Sequence, residues 1–371
     1  MNFFHSFFYF LKSLFYFPLV LLFVSCRVDQ PILIENKFIR VQCNFNEYNV
    51  TNLCEDEKEY LDWAKKSYLE YSKFEDLNQA VLKQIADETE DIDKATAIFY
   101  ERILKEKKTK FFLEKIKTLE NKISYNKYNY KNKDIKLSLV PGMFFKDNPE
   151  IEAKGSQIQN IASELGISSE IVPINHVGTV EENANLICSY LKAQSPSHKI
   201  IFASPSKGSS DIKRSIQICG QEEYYKKVIG WFSISGILKG SYIIQQIEDS
   251  WKNYLEARTY FFLKGYNWKS LLSLKAGKGN VLDEDFSLPK HITAVSLVGV
   301  PLYRHVTQRA KPFFLSLVPY GPNDGFTLLF DSIIPDSYIY PAWRNDHYFS
   351  FGFHSSTIKA FLVFLIENKP I

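Results

Sequence analysis

Read for hydrophobic spacing, the chain divides into stretches of different period. Residues 1–26, "MNFFHSFFYFLKSLFYFPLVLLFVSC", are almost all apolar, with Lys12 ahead of an apolar run from Leu14 to Val24. Residues 27–56 show no period. From there the spacing turns helical: Leu61, Ala64, Tyr68 and Tyr71 recur every three to four residues, as do Phe112, Ile116 and Leu119, which predicts two or more amphipathic helices over 57–123. A polar stretch, "SYNKYNYKNKD", predicts a linker that ends near Asp134.

Beyond the linker the period shortens. "IKLSLV" (135–140), "SEIVPI" (169–174), "KIIFAS" (199–204), "VIGWFSIS" (228–235) and "ITAVSLVGV" (292–300) are β-branched runs of strand length. Helical patterns over about 150–165, 179–193 and 208–219 separate the first four. Strands alternating with helices predict parallel pairing and an α/β sheet covered on both faces. Chemistry in such sheets gathers at the carboxyl ends of strands, so the loops after Val140, Ser204 and Ser235 are the ones to inspect. Residues 240–290 interrupt the alternation with an aromatic-rich helical insertion, either a cap over an apolar site or a packing subdomain.

Composition narrows the class. With 371 residues, 45% of them hydrophobic, the chain can bury a full core and carry a segment beside it. Its net charge of +3 balances 45 basic against 42 acidic side chains with no long block of one sign, so there is no electrostatic case for a nucleic-acid partner. The apolar start is a targeting or anchoring segment, short for a transmembrane span. Its end, Phe23-Val24-Ser25-Cys26, resembles a bacterial lipoprotein signal, in which the cysteine is lipidated; an ordinary signal peptide and an uncleaved anchor are the alternatives. Each places the body outside the cytoplasm, membrane-anchored or secreted. Five cysteines suit that compartment. Cys43 and Cys54 form a close pair suited to a disulfide, and Cys188 and Cys219, each in a predicted helix, read as buried free thiols. No pair has the spacing of a zinc site with histidines, so no metal is expected.

The candidate chemistry lies in "KIIFASPSKGSSDI", where a strand runs into Ser204-Pro205-Ser206-Lys207-Gly208 and a helix follows. This resembles the nucleophile elbow, GxSxG, of the α/β-hydrolase superfamily. Ser204 and Gly208 meet the need for small residues on either side, although Ser204 replaces the usual glycine and Pro205 is an unusual neighbour. "LSLVPGMFFKDNPE" resembles the oxyanion loop of lipases and esterases. "PNDGF" resembles the Asp-Gly turn that carries the triad acid, and Asp346-His347 resembles the late Asp-His pair of the same family.

The resemblance covers residues 135–371 and rests on the order of these four motifs. It implies an α/β-hydrolase fold, a mostly parallel sheet flanked by helices; the helical N-terminal region with its linker, 27–134, lies outside the resemblance and is read from spacing alone. The resemblance implies a lipase-like or esterase-like activity on carboxylic esters, ester or lipid as substrate, and no cofactor. Ser206 is then the nucleophile, His347 the base and Asp324 the acid. The oxyanion donors are the amides of Met143 (or Phe144) and Lys207. His354 is a rival base, His305 breaks the order of the motifs, and Asp331 and Asp336 compete with Asp324 without its following glycine. A binding or envelope protein that kept the fold and lost the activity is the alternative. Gly236, Gly240 and Ser241 are expected to permit turns only.

Overall fold

The computed structural model describes residues 53–125, 128–148, 152–349 and 355–368. The leader, Cys26 and Cys43 lie outside the described residues, as does His354.

Six strands form one sheet: β1 (Ile135–Leu139), β2 (Ser168–Ile171), β3 (Lys199–Pro205), β4 (Val228–Ile234), β5 (Thr293–Val300) and β6 (Tyr338–Trp343). Their order is β2-β1-β3-β4-β5-β6, and every pair is parallel. This is the predicted α/β-hydrolase arrangement. Parallel sheets of this kind are covered on both faces, and the alternation of side chains shows how. Leu137, Leu139, Ile201 and Ala203 pack on one face against α4 (Lys107–Tyr125), α5 (Ser156–Glu164) and α12 (Ser355–Glu367). Ile200, Phe202, Val228 and Trp231 pack on the other against α6 (Val180–Ala193) and α7 (Lys207–Cys219). All eight residues of β5 are buried, which suits its mostly apolar sequence; its two hydroxyls are hydrogen-bonded, Thr293 to the Asn368 carbonyl (3.1 Å) and Ser296 to Ser337 (2.8 Å).

The N-terminal helices, α1 (Glu55–Lys66), α2 (Gln79–Thr89) and α3 (Ile92–Lys105), pack on the far end of the sheet, where Ile98 and Phe99 meet Val298, Val300 and Trp343. The first is shorter than its spacing predicts. It stops at Lys66, and Tyr68 turns the chain in a left-handed conformation (φ 51°), so Tyr68 and Tyr71 do not continue its apolar face. Between β4 and β5 come α8 (Tyr242–Asp249), α9 (Trp251–Lys264) and α10 (Trp268–Leu272), and α11 (Lys311–Leu317) follows β5.

One expectation is corrected. Cys188 on α6 and Cys219 at the end of α7 are joined in a disulfide, with Cα atoms 6.2 Å apart. Both sit on the facing surfaces of two packed helices, a proximity that helical periodicity alone does not reveal. Cys54 is also disulfide-bonded.

Candidate active site

Ser206 stands where β3 ends and α7 begins. Its backbone adopts φ 51° and ψ −122°, a conformation non-glycine residues rarely occupy, and the surrounding bonds hold it there. The Ser206 amide donates to the Ile234 carbonyl (2.9 Å), and its carbonyl accepts from Ser209 (3.1 Å) and Ile237 (3.3 Å).

The two unusual neighbours have physical explanations. Ser204 is buried, and its Oγ accepts the indole N–H of the buried Trp231 (2.8 Å) while bonding the Ser209 hydroxyl (2.8 Å). A glycine would leave that indole donor unpaired, a cost of about 1–3 kcal/mol. Pro205 follows the last paired residues of β1 and β3, Leu139 and Ala203. Alternation along a strand points its nitrogen toward the β1 side, where the pairing has already ended, so no ladder bond is lost. Gly208 is required by close approach: a Cβ there would lie 2.0 Å from the Val140 carbonyl oxygen and 2.9 Å from that of Pro141. The loop after β1 therefore crosses directly over the start of α7.

His347 lies within hydrogen-bond reach of both partners the motifs suggest. Its Nε2 is 2.9 Å from Ser206 Oγ, and its Nδ1 is 2.9 Å from Asp324 Oδ2. A carboxylate accepts only, so the ring proton belongs on Nδ1, and the Nε2 lone pair faces the serine hydroxyl. Asp324 is buried; its other oxygen accepts from the amides of Phe326 and Thr327 (2.9 Å each). Those bonds require the chain to reverse at Gly325, which has φ 99°. The His347 amide returns the contact by donating to the Asp324 carbonyl (2.8 Å), and the Phe326 ring covers the imidazole at 4.9 Å between centroids.

The oxyanion candidates separate. The Phe144 amide donates to the His176 carbonyl (3.2 Å), which removes it from the set. The amides of Met143 and Lys207 donate to no acceptor among the described residues, and both residues line the cavity beside Ser206 and His347. Lys207 is also the first residue of α7, so the positive end of that helix supports its amide. Its side chain turns away into a buried ion pair, with Nζ 2.6 and 2.9 Å from the Asp211 carboxylate, which also accepts from Asn183 (2.8 Å). Burial pushes the Asp211 carboxyl up to about 6 against the opposing pull of Lys207.

The cavity measures about 870 Å³. Its walls come from Phe232 and Leu297 on the sheet and from Ile243, Ile247, Ala257 and Phe261 on α8 and α9, so the insertion supplies much of its apolar surface. The outer side of α9 is apolar as well, with Trp251 (78%) and Phe262 (82%) exposed.

The rival residues fall elsewhere. His305 is fully enclosed beside Glu57, its Nε2 3.1 Å from the Glu57 carboxylate. Asp331 is buried near Lys239 and Lys213, with its carboxyl pushed up to about 6 by burial. Asp336 sits in a left-handed turn whose carbonyl accepts from Lys108. Asp346 braces the histidine loop: it accepts from the Thr307 amide (2.8 Å), the Thr307 hydroxyl (2.6 Å) and the Tyr348 amide (3.0 Å). His176 pairs with Asp147 (3.2 Å) and His198 with Asp134 (3.1 Å). Ser241 caps α8, accepting from the Ile243 amide (3.3 Å), and Gly240 turns the chain before it at φ 84°. Thr307, which braces the histidine loop through Asp346, carries no local signal, because it meets its partner from 39 positions away.

No family model matches the sequence, and no curated protein matches it. Among solved structures the chain is similar to the metagenomic carboxyl esterase MGS0156, at 17% identity over 63% of this chain and 76% of that one, with a TM-score of 0.48. It is similar also to the mature Bacillus licheniformis lipase BlEst2, at 17% identity over 62% of this chain and 90% of that one, with a TM-score of 0.44. At such values the likeness says nothing of activity, and the functional reading rests on the site's own geometry.

Proposed function

We propose that this protein is a serine hydrolase that cleaves carboxylic esters, with an acyl group held in the apolar cavity. The observation that carries the reading is the continuous line Ser206 Oγ, His347 Nε2, His347 Nδ1 and Asp324, joined at 2.9 Å and 2.9 Å beside two amides that have no acceptor among the described residues.

A serine hydroxyl at its free pKa is a weak nucleophile, and His347 corrects this by taking its proton as Oγ attacks the ester carbonyl carbon. The carbonyl oxygen gains charge as the tetrahedral intermediate forms, and the Met143 and Lys207 amides stabilise it there; one such donor contributes about 2.7–4 kcal/mol. Collapse breaks the carbon–oxygen bond of the ester, and the imidazolium returns its proton to the departing alcohol. Asp324 holds the ring tautomer and stabilises the imidazolium without itself being protonated. Water, deprotonated by His347, then attacks the acyl-enzyme and releases the acid.

The cavity lies near the upper end of the ~300–1,000 Å³ range for small-molecule sites. Its apolar walls favour a long hydrocarbon over a short one, at roughly 0.8 kcal/mol per buried methylene. We extend the reading to location: the apolar leader, lipidated at Cys26 or retained as an anchor, holds the enzyme at a membrane outside the cytoplasm, where such substrates lie. A metabolic label of the acyl group on wild type, lost in Cys26→Ser, tests the lipidation.

A fluorophosphonate probe tests the activity. Labelling of wild type that disappears in Ser206→Ala supports a serine hydrolase, and folded wild type that takes no label indicates a binding protein that kept the fold. Rates on p-nitrophenyl esters are expected to rise with acyl length; a preference for acetate would refute the assignment of the cavity to a long chain.

A further inference from the structure

We propose that Glu57, on α1, is a positioning residue for His347, which makes the N-terminal helical layer a working part of the catalytic site. The proposal rests on His347 acting as the base described above.

Glu57 is fully buried and lies 287 positions from Arg344 in sequence, yet it holds that guanidinium with two bonds, to Nε (2.6 Å) and Nη2 (2.5 Å). The same carboxylate accepts from the Trp343 indole (3.0 Å) and the Cys54 amide (2.7 Å). It lies 3.1 Å from His305 Nε2. His305 Nδ1 accepts from the Leu302 amide (3.1 Å), so the imidazole proton points at Glu57. Burial on its own would raise the Glu57 pKa. The bonds from Arg344, His305 and Cys54 outweigh it and hold the carboxyl well below its usual range, so the group is an anion.

These contacts meet at one place in the chain. Trp343 is the last residue of β6, and Arg344 begins the loop that reaches His347 three residues later. Arg344 has φ 67°, a left-handed conformation that a non-glycine side chain adopts only when its surroundings impose it. Its amide is tied to the Val300 carbonyl (3.1 Å) at the end of β5. The loop then runs so close to β5 that a Cβ on Gly299 would lie 2.8 Å from the Asn345 carbonyl oxygen. Glu57 thus grips the corner from which the histidine loop departs, and Asp346 grips its middle through Thr307.

Stability is a poor explanation for this arrangement. Well-packed apolar residues in place of a buried ion pair are often as stable or more so. What such residues lack is direction: a forked guanidinium on a carboxylate fixes angle as well as distance. The geometry of attack needs that direction, because a displacement near 1 Å can cost on the order of 10²-fold in rate.

The test uses the full chain and compares wild type, Ser206→Ala, Glu57→Gln, Arg344→Gln and the double variant Glu57→Gln/Arg344→Gln. Rates on a p-nitrophenyl ester are taken per fluorophosphonate-titrated site, with thermal melts alongside. Glu57→Gln is expected to lower kcat on the order of 10²-fold while KM stays within about twofold, since neither Glu57 nor Arg344 lines the cavity. Glu57→Gln strands the Arg344 charge, and Arg344→Gln leaves the buried Glu57 carboxylate, among the described residues, only the longer contact to Arg304 (3.5 Å) as a cationic partner beside His305, so each single variant melts lower. The double variant strands none, so it is expected to regain melting temperature while kcat stays low. Recovery of kcat together with the melt, or a folded Glu57→Gln with wild-type kcat, overturns the proposal and leaves the triad intact. Wild type that neither labels nor hydrolyses overturns both.

Discussion

Ser206 and His347 meet at 2.9 Å by opposite routes. The serine is placed by its own neighbourhood. Ser204, Pro205, Gly208 and Ser209 lie within a few residues of it, and the bonds that hold its strained backbone come from the adjacent strand β4 and the turn beyond it. The histidine sits on a loop, and its supports come from Asp324, Thr307, Val300 and Glu57, the last from the opposite end of the chain. A corner between a strand and a helix can be specified by a short motif. A loop has no such self-sufficiency, and its precision is borrowed from whatever packs around it.

Substitutions at the two ends should break this contrast in different ways, and the largest effect belongs to the histidine's acid. Asp324→Asn keeps the turn but favours the wrong imidazole tautomer; kcat is expected to fall about 10⁴-fold with the melt nearly unchanged. A small loss in steady-state rate would mean that another group orients His347. Gly208→Ala attacks the serine side through space: its methyl carbon would meet the Val140 oxygen at 2.0 Å, so the loop after β1 must move. Both activity, by about 10²-fold or more, and stability, by about 2–4 kcal/mol, should drop together. Retention of either would show that the loop yields without cost.

The disulfide sharpens the comparison from the stability side. Cys188 and Cys219, 31 residues apart, clamp α6 to α7 beneath the serine and away from the cavity. Replacing both with serine is expected to cost about 3–4 kcal/mol by loss of loop constraint, with kcat within about twofold of wild type. A melt and a rate assay in reductant check it. An equal fall in kcat would make the clamp part of the site's geometry.

The smallest effect is a pair of opposed pH responses. Glu57 has a depressed pKa, so its contribution to stability is complete above its unfolded value near 4.5 and is lost as pH falls below that. Asp211 is raised from 3.8 to about 6, so the folded state binds the proton more tightly there and stability declines as pH rises from about 4 to 6. Melts from about pH 2 to pH 7 should show the loss below about 4.5 reduced in Glu57→Gln and the decline toward pH 6 reduced in Asp211→Asn. Identical pH profiles in all three proteins would refute both assignments.

Much of this was legible in advance. The strand runs at 135–140, 199–204, 228–235 and 292–300 all appear in the sheet, because mostly apolar runs rich in Ile and Val between helices suit a sheet buried on both faces. Ser206, Asp324 and His347 each stand in a short motif, and for the first two the motif's glycine has a steric reason, seen at Gly208 and Gly325, whereas the Asp346-His347 pair has no such residue. The misreadings lie where partners are distant. Cys188 and Cys219 looked like separate thiols because nothing local says that two helices face each other. Tyr68 looked like a continuation of α1 because periodicity cannot register the left-handed turn that follows Lys66.

The sequence by itself determined the alternation of strands and helices, the corner that lifts Ser206, and the order of the residues that follow it. These are short-range matters, decided by backbone sterics and the period of apolar side chains. Only the tertiary structure decided which amide remains open, that Ser204 serves Trp231, and that Glu57 holds the corner of the histidine loop. The reason is physical: hydrogen bonds and close approach depend on distance in space, and residues 57 and 344 become neighbours only when β5 and β6 bring their ends beneath the first helix.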